Sequence, residues 1–144
     1  MATLHDFNRR IRIRANKVTE GADRLVRKVA IVADQAVVLA TPVDTGRARS
    51  NWIVALNSPS SKVIQAYSPG GGGDKNAQAA IDQGQAVISG YKPGTEIHIT
   101  NNLEYIGELN DGSSRQAPAN FVEESILEAA SAVQSGRIVD GGKK

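Results

Sequence analysis

The chain has 144 residues, with 17 Lys and Arg against 15 Asp and Glu, a length that suits one domain. It contains no cysteine, which excludes disulfides and thiolate metal sites, and no apolar run approaches the ~20 residues of a membrane span. One Trp, two Phe and three Tyr leave a core of small Ala and Val side chains; at roughly 25 cal/mol per Å² of buried apolar surface, its stability alone is modest, which favours assembly with copies of itself.

The first forty residues read as one long helix. Leu4, Ile11, Val18, Leu25, Val32 and Leu39 recur every seven residues, and Ala15, Ala22, Val29 and Ala36 extend the stripe. Such a helix would span roughly 50 Å. Pro42 ends it, because the residue before a proline is pushed out of helical geometry. Asp44-Thr45-Gly46 turns the chain. Residues 51–57 read as a strand with Trp52, Val54 and Leu56 on one face, Ser58-Pro59-Ser60-Ser61 as a turn, and residues 62–67 as a second strand.

Pro69-Gly70-Gly71-Gly72-Gly73-Asp74 reads as a mobile loop, costly to order. A short helix is expected over 76–89, with Asn76 as its cap and Gly90 as its stop. A third strand follows at 96–100, with His98 on its polar face between Ile97 and Ile99. Residues 103–109 suit one or two helical turns. A final helix starts at Asn120, whose spacing to Glu123 is that of a capping box, with Phe121, Val122, Ile126, Ala129, Ala130 and Val133 as its apolar face. The fold class expected is α+β: a long N-terminal helix, a small antiparallel sheet of about three to four strands, a short middle helix and a C-terminal helix. One domain is expected over residues 1–139, with 140–144 as a disordered tail.

Catalytic chemistry finds little support. The glycine run lacks the Lys-Ser or Lys-Thr that closes a phosphate loop. His5 and His98 are the two histidines, and no metal-ligand spacing includes them. Glu104 and Glu108 would share a helical face and suggest paired acid–base carboxylates, but a solvated or subunit-facing acidic edge explains them as well. No histidine lies near Ser113-Ser114-Arg115 to activate a hydroxyl. The expectation is a protein that is not an enzyme and uses no cofactor or metal.

Charge is distributed unevenly. Residues 1–49 hold ten Lys and Arg against five acids, and residues 50–144 hold seven against ten. A basic end and an acidic end suit either an anionic partner or head-to-tail contacts between identical subunits. Four of the cations, Arg9, Arg10, Arg12 and Arg14, are candidates for sequence-independent contact with DNA phosphates.

Two junctions carry a resemblance. The segment Ala40-Thr41-Pro42-Val43-Asp44-Thr45-Gly46-Arg47-Ala48-Arg49-Ser50-Asn51-Trp52, and the later Asn101-Asn102 with Tyr105, Gly112, Arg115-Gln116-Ala117-Pro118 and Phe121, together resemble the head–tail connector (neck or tail-completion) proteins of long-tailed double-stranded DNA bacteriophages. The resemblance implies a structural virion protein, made in the host bacterial cytoplasm and located in the neck. It implies a ring, sixfold by preference and twelvefold in some layers, that joins portal-side or head-completion proteins to the tail terminator or tail tube and lets DNA pass through its lumen without sequence recognition or membrane contact. Candidate residues for subunit or partner interfaces are Arg47, Arg49, Trp52, Gly70, Gly71, Gly72, Gly73, Glu104, Tyr105, Glu108 and Arg115, and candidates for contact with DNA in the lumen are Arg9, Arg10, Arg12 and Arg14; the glycine-rich loop is a departure from the family's pattern. The alternative from another class is a small basic DNA-associated protein.

Overall fold

A computed structural model describes residues 9–14, 20–42, 46–70, 72–111 and 120–134. Its class is α+β. In chain order the elements are β1 (Arg9–Arg14), α1 (Glu20–Ala40), α2 (Arg47–Ser50), β2 (Ile53–Leu56), α3 (Gly72–Ile88), β3 (Glu96–Asn101), α4 (Ile106–Asn110) and α5 (Phe121–Gln134). The strands lie in the order β1-β3-β2 with antiparallel pairing.

The N-terminal region departs from expectation. Residues 9–14 form a strand instead of the first turns of a long helix, and the helix begins at Glu20. The sequence Arg-Ile-Arg-Ile-Arg alternates with period two, which suits a strand. Register then pairs Ile11 with Ile99 and Ile13 with Ile97, and pairs Arg10 with Thr100 and Arg12 with His98.

The helix α1 stops at Ala40, two residues before Pro42, but the face it buries is not the heptad stripe. Ala30, Ala33, Asp34, Val37, Val38 and Thr41 point inward, at the i, i+3, i+4, i+7 spacing of one helical face. Leu25 and Leu39 stay half exposed. Small residues explain the choice. Ala30 and Ala33 let α3 come close with its own Ala77, Ala80 and Gly84. A Cβ at Gly84 would sit 2.3 Å from Asp34 Oδ2 and 3.0 Å from Val54 Cγ2, so α1, α3 and the sheet meet at a point that admits only glycine.

The two expected strands at 51–57 and 96–100 are present as β2 and β3 and pair directly. The strand expected at 62–67 is not; those residues are irregular. Asn51 takes its place, donating from Nδ2 to the Ile64 carbonyl at 2.8 Å and accepting from the Ile64 amide at 2.8 Å. One side chain thus supplies a single rung of a ladder. The free edge of β2 is closed in the same manner: Gln83 on α3 accepts from the Val54 amide at 3.1 Å and donates to the Val54 carbonyl at 3.0 Å.

His98 is buried, not on a polar face, because β3 is the central strand and both its faces are covered. Its Nε2 donates to Glu96 Oε1 at 3.0 Å. The glycine run also departs from expectation. The helix α3 starts at Gly72 and takes in Asp74, so Asn76 lies inside it, fully buried, and is not its cap. It ends at Ile88, just before Gly90.

The start of α5 is held by α4. Asn110 Oδ1 accepts from the Val122 amide at 2.9 Å, its Nδ2 donates to Glu123 Oε1 at 2.9 Å, and its carbonyl accepts from the Asn120 amide. The capping role expected of the Asn120 side chain belongs to Asn110; Asn120 itself turns the backbone at φ 64°. Among the expected apolar face of α5, Phe121, Val122 and Ala129 are buried, whereas Ala130 is exposed. The expected tail, 140–144, lies outside the described residues. Asn110→Ala is expected to cost about 1–2 kcal/mol, the value of a lost helix cap, and Asn120→Gly only a few tenths, since glycine adopts positive φ freely; urea unfolding of the two variants checks the assignment.

Candidate functional site

Thr41, at the end of α1, is the hub of the first junction. Its hydroxyl donates to the Val37 carbonyl at 2.6 Å and accepts from Trp52 Nε1 at 2.8 Å. Its carbonyl accepts from Arg49 Nε at 2.9 Å, and the same guanidinium donates to the Leu39 carbonyl at 2.9 Å. Arg49 therefore satisfies carbonyls that the end of α1 leaves unpaired, and places a cation at the negative end of the helix dipole. Burial lowers the Arg49 pKa from its ordinary value, and Asp74 opposes that shift.

Gly46 opens α2 with φ 81°. No side chain fits there, for a Cβ would lie 2.3 Å from Asn76 Nδ2. Asn76 in turn holds Ser68 by both backbone groups, accepting from its amide at 2.8 Å and donating to its carbonyl at 3.1 Å. Ser50 Oγ accepts from the Tyr67 amide and contacts Asn76 Oδ1 at 3.0 Å. These side chains fix the irregular 57–68 segment against α2 and α3 without a strand.

The second junction docks on the first. Asn101 Nδ2 donates to the Ala48 carbonyl at 2.9 Å, fully buried, while its Oδ1 accepts from the Leu103 amide at 3.2 Å. Asn102 donates to the Ser60 carbonyl at 2.7 Å and the Lys62 carbonyl at 3.2 Å. Between the junctions opens a cleft of about 260 Å³ lined by Arg47, Val63, Asn102, Leu103, Glu104 and Tyr105. Here a cation, a carboxylate and a phenol meet at a surface with apolar walls, an arrangement suited to gripping a polypeptide or another polar chain.

The cleft unites three residues singled out in the sequence, Arg47, Glu104 and Tyr105. Glu108 is exposed on α4 and does not line it, so the two glutamates do not share one pocket. Trp52 is wholly buried and Arg49 nearly so; both are committed to the end of α1, through Thr41 and the Leu39 carbonyl. Gly70 is exposed, at φ 75° with open space around it, whereas Gly72 and Gly73 belong to the first turn of α3. Gly71 and Arg115 lie outside the described residues, and Arg9, Arg10, Arg12 and Arg14 are placed by the backbone of β1. Among the described residues, no group of three or more His, Asp or Glu converges as metal ligands, and no helix is long and apolar enough to cross a membrane.

Asp34 is the polar group that sequence reasoning missed. It is 1 % exposed, and its Oδ1 has no hydrogen-bond partner among the described residues. Burial pushes its pKa from 3.8 up to about 8, so the carboxyl is largely protonated at neutral pH. The one signal in the sequence is its place four residues after Ala30 and three before Val37, on the buried face. Since the folded chain holds this proton more tightly than the unfolded chain, stability is highest below about pH 4 for this group and falls as pH rises to about 8. The expected slope approaches 1.4 kcal/mol per pH unit within that window. Asp34→Asn removes the slope, which denaturant titrations at a series of pH values measure directly.

Compared with protein-family models, curated proteins and solved structures, the chain matches none.

Proposed function

We propose that the chain is a structural subunit of a phage neck ring that joins the filled capsid to the tail and lets DNA pass. The observation that carries this reading is the buried bond from Asn101 to the Ala48 carbonyl. The two segments that bear the resemblance, 40–52 and 101–122, are far apart in sequence, yet this contact and the shared cleft join them. A pair of junctions that form one unit is expected of a single inherited architecture, and less so of two chance matches.

In this reading the cleft of Arg47, Glu104 and Tyr105 meets a neighbouring subunit or neck protein, and no residue performs covalent chemistry. Head-side partners are head-completion or portal-side proteins; tail-side partners are the terminator or the tube. Sixfold closure is favoured, and the protein resides in the virion neck. Heads are expected to fill and tail tubes to polymerise in a phage lacking this chain, but the two fail to join. Electron micrographs of the deletion lysate decide it, and fully joined infectious virions would remove the reading.

The basic strand β1 supports the second reading, that of a small DNA-associated protein. Its four arginines, Arg9, Arg10, Arg12 and Arg14, lie on an edge strand of the sheet. That reading expects tight binding of free duplex DNA by the isolated chain, with log affinity falling by about 0.9 per log unit of salt for each phosphate neutralised. The neck reading expects only weak, sequence-independent binding outside the assembled ring. Fluorescence anisotropy with a labelled duplex across a salt series separates them.

A further inference from the structure

The heptad stripe of α1 is only partly spent on the core: Val32 packs against it, and the two leucines of the stripe do not. Leu25, Val32 and Leu39 recur every seven residues, and Leu25 and Leu39 are 50 % and 54 % exposed. Seven-residue spacing is the pattern of a helix that packs on a neighbour along a seam. At its C-terminal end this stripe opens into a groove of about 560 Å³ between α1 and α5. Leu39 and Leu127 form its walls, and Leu127 is 69 % exposed. Phe121 and Ser125 lie beneath, and Glu124 and Glu128 line its rim. Exposed leucines gathered at a groove with a polar rim mark an interaction surface.

Charge decides the occupant. The helix α5 carries three glutamates and no Lys or Arg, and Glu123, Glu124 and Glu128 are all exposed. The complementary surface is in the same chain, where residues 1–49 carry ten basic against five acidic groups. We infer that the groove between α1 and α5 seats a second copy of the chain, which meets it with the arginine-rich strand β1. This inference rests on the ring reading and names the contact that builds the ring. The groove lies between α1 and α5 and the arginine-rich strand β1 is a separate element, so the contact is heterologous. Each copy keeps one of each, and addition of copies continues until the rotation closes.

Native mass spectrometry and light scattering at high micromolar concentration test it. The wild-type chain is expected to assemble beyond the monomer. Leu39→Ser with Leu127→Ser, and separately Glu124→Lys with Glu128→Lys, are expected to weaken assembly at least about tenfold, the scale of a lost interfacial charge pair or anchor. These positions are exposed, so the far-ultraviolet circular dichroism of the variants should match that of the wild-type chain. Arg10→Glu with Arg12→Glu is expected to weaken assembly likewise. The decisive sample is an equimolar mixture of the Glu124→Lys/Glu128→Lys chain with the Arg10→Glu/Arg12→Glu chain, whose charges match again and which should recover assembly.

A wild-type chain that stays monomeric overturns the inference, as does assembly indifferent to the groove substitutions. Failure of the mixture to recover, with both variants folded, overturns the basic segment as occupant. Assembly that ignores the groove leaves the neck reading standing, whereas joined virions without the chain remove that reading and leave the groove result intact.

Discussion

A side-chain carboxamide presents a donor and an acceptor on one side, as a single residue at a strand edge does, and this fold depends on that equivalence. Asn51 pairs with both backbone groups of Ile64, Asn76 with those of Ser68, and Gln83 with those of Val54. Asn101 links β3 to α2, and Asn110 links α4 to the start of α5. Buried backbone groups must be paired or cost a few kcal/mol each. With a small sheet and long irregular segments, regular ladders cannot supply enough partners, and these amides, with Asn102, supply many of the others. They also direct the cleft, since Asn51 and Asn102 hold the strip from Ser60 to Ile64 that forms one of its walls.

The C-terminal ends of α1 and α3, β2, β3 and the position of the last helix are legible because each is written locally: Pro42 after α1, alternation at Ile97 and Ile99, an apolar face opening at Phe121. The N-terminal error has a single cause. A seven-residue apolar spacing and a two-residue Arg-Ile alternation coexist in residues 9–14, and over so short a window either period fits. The strand wins because β3 supplies Ile97 and Ile99 as partners, which only tertiary structure reveals. In α1 the stripe of larger residues reads as core, yet the alanine face is buried, because a close helix pair is set by what α3 presents rather than by the bulk of α1 itself. Within the cleft, Arg47, Glu104 and Tyr105 are visible as polar residues beside turns. Arg49 and Trp52 look the same in sequence but are consumed by Thr41 and by the carbonyls at the end of α1.

The small-residue core has an electrostatic counterpart. Ala30, Ala33, Ala77 and Ala80 bring helices close enough to exclude water, and Asp34 sits among them with little solvation. A protonated carboxyl there is compact and tolerable; the ionised form is not. Alkaline conditions should therefore loosen the α1–α3 contact before other parts of the core. The same contact backs Val54, and through it the edge of β2 that Gln83 closes.

The pairing of β1 with β3 also sets an order of events. Arg9 lies opposite Asn101, so the first strand of the chain has no partner until most of the sequence has left the ribosome. Closing so long a loop costs entropy that nearby contacts do not, and folds dominated by such pairings form slowly. Helices α1 and α3 can meet earlier, leaving an arginine-rich segment unpaired in the nascent chain. Until β1 docks, the edge of β3 that receives it is open, so the β1–β3 pairing is expected to be among the last contacts to close.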